Sequence, residues 1–129
     1  MSRDKKEKTI ASVCLCKSQD INKLVEYVDD SIVSRTIIDK PSGSVTLFAF
    51  DKGQRLSEHT SPYDAVVQIT DGRAKLTIGG DDVAVSAGQI IIMPAKIPHA
   101  VTAEQRFKML LTLIRGQAQS QERNSQGKI

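Results

Sequence analysis

Between Ser31 and Ile114 no stretch repeats its apolar residues at a helical spacing; strand-length runs follow one another instead, each cut short by Gly, Pro, Asn or Asp. The runs are 31–38, 45–50, 65–70, 73–78, 83–85, 89–93 and 107–114, rich in Val, Ile, Thr and Phe. Branched and aromatic side chains suit a pleated, half-buried surface, and tight turns between short runs limit the chain to antiparallel neighbours. The run 73–78 alternates cleanly, with Ala74, Leu76 and Ile78 on one face and Arg73, Lys75 and Thr77 on the other. The run 45–50 is apolar on both faces (Val45, Leu47, Ala49 against Thr46, Phe48, Phe50), so it must be covered on both. Many short strands of this kind predict an all-β sandwich or barrel.

Turn chemistry subdivides the chain further. Asp71-Gly72 and Gly79-Gly80-Asp81-Asp82 both read as hairpin turns. Upstream, residues 10–16 suit either an added strand or one turn of helix, and Asp20 is placed to cap a helical turn over 20–25. The expected organisation is a tail at 1–9, a single domain over 10–115 and a second tail at 116–129, whose polar composition cannot bury enough surface to order itself.

Size and charge exclude several classes. A chain of 129 residues is one domain by ordinary scaling. No apolar run approaches the roughly 20 residues of a membrane span, and the charged start Met1–Lys8 is not followed by a signal-peptide core. A cytoplasmic protein without a membrane partner is therefore expected. The net charge of +3 resides in the ends: residues 1–8 and 115–129 each carry +2, which leaves −1 on residues 9–114. A nucleic-acid face should be basic on the folded body, so no nucleic-acid partner is expected. Cys14 and Cys16 are too close for an easy disulfide and lack zinc-site partners at the usual spacing, so they read as reduced, partly buried thiols. Asp29 and Asp30 precede a strand and read as solvated.

The two histidines of the chain close a continuous block, Gly53 to His99. Gly53 precedes His59 by six positions, Ser61 follows, and Gly72 stands seven after Ala65; Gly88 precedes Pro94 by six, and His99 follows five later. This pattern resembles the two conserved motifs of the cupins. The resemblance implies a double-stranded β-helix, or jelly-roll barrel, with a short N-terminal helical turn in front, and it places His59 and His99 on neighbouring strands with their imidazoles in the barrel mouth.

In that family two histidines and a glutamate of the first motif and one histidine of the second hold a divalent metal. Carried over by position, His59 and His99 match two ligands. Ser61 stands where a histidine is expected and Ala65 where the glutamate is; Lys96 replaces a usual glycine and Ala103 a usual asparagine. Two imidazoles with water would bind zinc, nickel or copper weakly, and iron, which favours a carboxylate, less well. Strand parity places Ser61, Tyr63, Ala65 and Val67 on the face of His59 and Glu58, Asp64 and Gln68 on the other, unless Pro62 marks a bulge that re-aims Asp64 or Tyr63.

Three readings follow. The first is a barrel that binds a small polar molecule, with His59, His99, Ser61 and Tyr63 as its polar rim, Met93 and Phe48 as apolar lining, and one divalent ion optional. The second is a metal-dependent enzyme of dioxygenase or isomerase type. The third is a barrel with a filled mouth that serves structure alone. Ser61 lacks an oriented carboxylate for a triad, and Gly79-Gly80 lacks the helix of a phosphate cradle. The strands at 31–38, 45–50 and 107–114, apolar on both faces, also predict a homodimer.

Overall fold

The computed structural model describes residues 9–115; both tails expected from sequence, apart from Thr9, lie outside them. There are eight strands, six of which hold the seven apolar runs: β1 (Ile32–Lys40), β2 (Gly43–Phe50), β3 (Arg55–His59), β4 (Asp64–Ile78), β5 (Asp81–Ser86), β6 (Ile90–Met93), β7 (His99–Thr102) and β8 (Phe107–Ile114). They pair antiparallel in the order β1-β2-β8-β4-β7-β3, with β5 and β6 also paired to β4. The all-β jelly-roll barrel read from the sequence is the architecture observed. β3 and β7 are strands beyond the seven runs; β3 carries a single apolar side chain, Leu56, and β7 is four residues long, so neither produces a strand signal.

β4 joins the two halves of the barrel. Its first half pairs with β6 and β8, its second with β5 and β7. Asp71-Gly72 is therefore not a hairpin turn, as the dipeptide suggested, but the middle of one 15-residue strand. The register with β8 slips between Ile69 and Asp71, and Gly72 takes φ +73°. A side chain there would collide with the Arg106 carbonyl oxygen, so the dipeptide serves a bulge that bends the strand from one sheet into the other. The Gly79-Gly80 expectation holds: both glycines have positive φ and Ile78 pairs with Asp81, a two-residue hairpin.

Inside the barrel Phe50 stacks on Phe107 with ring centroids 4.6 Å apart, and Ala65, Val67, Ile69, Leu76, Met93, Val101 and Met109 close around them. A second cluster lies on the outside of the sheet. Leu47, Ala49 and Leu110 are covered by Ile21, Leu24, Val25 and Tyr27, so β2 is covered on both faces around Leu47 and Ala49, while Val45 on the same outer face stays half-buried. The covering segment begins after a four-residue helix α1 (Ala11–Cys14), while Thr9 forms a parallel bridge to Thr36. It then makes a 3-10 turn at Ile21–Lys23, whose first N–H groups are capped by Asp20 as expected.

Polar contacts pin this cover to the sheet. The Tyr27 hydroxyl donates to Asp71 at 2.6 Å, and the ammonium of buried Lys108 donates to the Asn22 carbonyl at 2.6 Å. Arg106 bonds Asp51 at 2.7 Å and Asp29 at 2.9 Å; Asp29 and Asp30 are exposed to solvent, as read from the sequence, and Asp29 is an ion-pair partner as well. Arg106 and Lys108 both stand about 5 Å from the centre of the Tyr27 ring, within cation–π range. Burial first, and the bond to Asp71 second, push the Tyr27 hydroxyl well above its usual range. The Arg106 hydrogen bond, reinforced by the Asp30 N–H, holds the Asp51 carboxyl down at about 2. Cys14 is half-buried, Cys16 is exposed, and both are free thiols. No helix among the described residues is long and apolar enough to cross a membrane.

Candidate functional site

The ladder between β3 and β7 brings the two histidines together. His59 lies directly opposite His99, and their rings meet edge to face with centroids 4.4 Å apart. A bulge sets this pairing: Leu56 opposes Val101, and the next partners are His59 and His99, so β3 spends three steps where β7 spends two. Without the extra residue His59 would fall on the opposite face from Leu56, which packs against the core. A bulge thus sits at Ser57–Glu58 and aims His59 itself, while Pro62 lies in the loop between β3 and β4. His99 is 6% exposed and shares its face with buried Val101; His59 is exposed at the rim.

Each imidazole is anchored in the same way. Nδ1 of His59 lies 2.8 Å from the Ser57 carbonyl oxygen, and Nδ1 of His99 lies 3.1 Å from that of Ile97. A carbonyl only accepts, so Nδ1 carries a proton in both rings, and in the neutral form of each ring the Nε2 lone pair is left for another partner. Fixing one nitrogen by a backbone oxygen is also how a protein prepares the other to coordinate or accept.

Two neighbouring loops are laced together beside the pair. The Lys96 N–H donates to the Ser61 carbonyl at 2.7 Å, and the Ala95 N–H donates to the Asp64 carboxylate at 2.8 Å. Lys96 has φ +69°, the left-handed region that a glycine occupies without cost, which accounts for the usual glycine at this position of the motif. Ser61 Oγ accepts from the Tyr63 N–H at 3.1 Å, and the guanidinium of Arg115, held by Asp39 at 3.0 Å, stands 5.7 Å from the Tyr63 ring centre. The lacing role of Asp64 and Lys96 has no local sequence signal, because it depends on loops 31 residues apart meeting.

The other residues singled out from the sequence have different surroundings. Met93 is buried opposite Ala65, and half-buried Phe48 packs against the same core, 6.2 Å from Phe50. Ala65 is itself buried between Met93 and Leu113 and offers no donor atom where a carboxylate is expected. Among the described residues no group of three or more His, Cys, Asp or Glu side chains could hold a metal ion. The four-ligand centre implied by the resemblance therefore does not fit this chain. Three surface clefts, of about 300, 430 and 420 Å³, are lined by residues other than the histidines.

Comparison with known proteins agrees with this architecture. The family model described as "Cupin domain" matches residues 46–114. A conserved protein of unknown function from Streptococcus pyogenes is 39% identical, with a TM-score of 0.76 over 79% of this chain and 90% of that one. A cupin 2 conserved barrel domain protein from Leptotrichia buccalis is 41% identical, with a TM-score of 0.71 over 72% of this chain and 45% of that one. An uncharacterised protein from Streptomyces coelicolor is 34% identical over 56 residues, which are 43% of this chain and about half, 53%, of that relative. With the family model spanning more than half of its length and the barrel in place, the chain belongs to the cupin family.

Proposed function

We propose that this protein binds a small polar molecule at the barrel mouth, with His59 and His99 as its recognition pair. The observation that carries the reading is the matched anchoring of the two rings, which leaves an Nε2 acceptor on each of two rings in contact. Such a pair takes a ligand that donates hydrogen bonds, such as a hydroxyl, amine or amide group. Ser61 keeps its hydroxyl proton to donate after accepting from Tyr63, and Tyr63 supplies the rest of the rim. A divalent cation is at most a weak occupant, because two neutral nitrogens and water neither complete its coordination nor offset its charge.

Protein purified without a metal-affinity tag, dialysed and analysed for zinc, nickel, copper and iron tests this directly. The expected result is no stoichiometric metal, together with small polar molecules whose addition shifts the His59 and His99 ring signals in NMR spectra and no longer binds a His59→Ala/His99→Ala variant. Stoichiometric metal that the double variant loses would instead favour a metal-dependent enzyme. Ligands that bind both forms equally would move the site elsewhere.

A further inference from the structure

We propose that Ser44 is a second recognition residue of the barrel mouth and faces the histidine pair. The ligand is then a short two-ended molecule, with a hydrogen-bond donor at one end and a carbonyl or carboxylate oxygen at the other. This rests on the histidine pair being the ligand site and adds what lies across from it.

The connections between strands bring Ser44 there. β2 runs into β3 through residues 51–54, β7 runs into β8 through residues 103–106, and the two halves of β4 join at the bend by Gly72. Phe50, Phe107 and Gly72 stand directly opposite one another, so all three joins lie at one end of the barrel. The far ends of the joined strands therefore share the other end: Ser44 with His59, Leu113 with His99, and Ala65 with Ile78. Ser44, Leu113, Ala65 and Met93 form one row at that end, each directly opposite the next. Leu113, Ala65 and Met93 belong to the inner core, and opposed residues share a face, so Ser44 points into the mouth as well. Small Ser44 and Ala65 alternate with larger Leu113 and Met93, which recesses the wall across from the imidazoles.

The Ser44 hydroxyl is unclaimed. Ser44 is 7% exposed, yet among the described residues its hydroxyl has no hydrogen-bond partner. The next inward hydroxyl along β2, that of Thr46, already meets Thr36 Oγ1 at 3.5 Å. Buried hydroxyls are normally paired, because taking one out of water without a partner is costly. Nor is the atom sealed off. Among the described residues Asn22 Oδ1 and Thr70 Oγ1 are the unpartnered side-chain atoms closed to solvent, and Ser44 Oγ is not one of them. A nearly buried hydroxyl that opens into the mouth has its proton free for an oxygen acceptor placed there. The histidines, fixed through Nδ1, instead offer Nε2 lone pairs that suit a donor. The two contacts thus differ in sign across an apolar middle of Leu113, Ala65 and Met93.

Titrations followed by the His59 and His99 ring signals in NMR spectra test this with ω-hydroxy acids, their amides and the matching simple alcohols. Facing sheets stand roughly 10 Å apart, and the side chains take part of that space, so chains of about three to six carbons are the ones to use. On the parent the two-ended compounds should bind at least tenfold tighter than the alcohols; acids ahead of amides would mark a carboxylate end, and the reverse a carbonyl. Ser44→Ala removes no protein hydrogen bond, so it should keep the parent Tm while the tenfold advantage disappears. Ser44→Cys, of similar size and a weak donor, should lose most of the advantage too. Two-ended compounds that bind no tighter than the alcohols, or an advantage that Ser44→Ala retains, would overturn this inference and leave the histidine reading standing. Ring signals that none of the compounds move would overturn both.

Discussion

The outer face of the sheet has two adjoining halves that differ in fate rather than in apolar character. In one, Leu47, Ala49 and Leu110 lie under Ile21, Leu24, Val25 and Tyr27 of the same chain. In the other, a step along the strands, Ile38 and Ile92 stand at the two ends of a bare row. What separates the halves is polar chemistry. The covered half has a rim of bonds at Tyr27, Arg106 and Lys108 that offset the entropy of holding residues 20–31 down; the bare row has no such partners among the described residues. Burial on a sheet face thus depends on whether the incoming backbone can satisfy its polar groups there.

The sharpest contrast comes from truncating the covered half. Leu47 is fully buried, and Leu47→Ala removes its packing on both the sheet and the cover. Urea unfolding should show a loss of about 2–5 kcal/mol, the range for a leucine cavity. A loss under about 1 kcal/mol would mean that the cover contributes little and that the halves are energetically alike.

Removing one bond of the rim should cost less. Tyr27→Phe keeps the ring and both cation–π contacts but deletes the bond to Asp71, a loss of about 1 kcal/mol. The pH dependence identifies the group. Because the folded-state pKa of Tyr27 is raised, its contribution is fully present below the ordinary tyrosine value of about 10 and declines as pH rises beyond it. The parent should therefore lose stability above about pH 10 more steeply than Tyr27→Phe; parallel curves would show that this hydroxyl does not sense the fold.

The acid side tests the other end of the rim. The folded-state carboxyl of Asp51 titrates near 2, below its unfolded value, so its contribution is present above about pH 4 and is lost as pH falls toward 2. Asp51→Asn should flatten that limb of the stability curve, and Arg106→Gln should do the same because Arg106 is the larger cause of the shift. Should only one of the two flatten it, the ion pair is not what holds this edge of the cover.

How far these features were legible varies with how local their causes are. His59 and His99 were found as a pair because glycine and proline spacings fix where strands begin and end. The bulge that aims His59 was not, because it exists only in the pairing of β3 with β7. Asp71-Gly72 shows the opposite failure. The dipeptide that makes a tight turn also makes a bulge, and the choice rests on β8 continuing alongside. Leu24 and Val25 were visible as part of a helical turn, but the surface they cover belongs to strands β2 and β8, far along the chain. The expectation that 45–50 needs cover on both faces was right about β2 yet silent on β4 and β6, whose outward residues Val66, Ile90 and Ile92 form half of the bare surface.

The smallest effect belongs to that bare half. Ile90 is 62% exposed on a short strand that pairs with β4 alone. Ile90→Thr retains a β-branched side chain suited to the strand and removes apolar surface that the single subunit barely buries. Its unfolding free energy in urea should stay within about 0.5 kcal/mol of the parent, the usual range for a surface exchange. A threonine variant less stable than that would place Ile90 under cover supplied by its own chain, and the two halves of the face would no longer differ in kind.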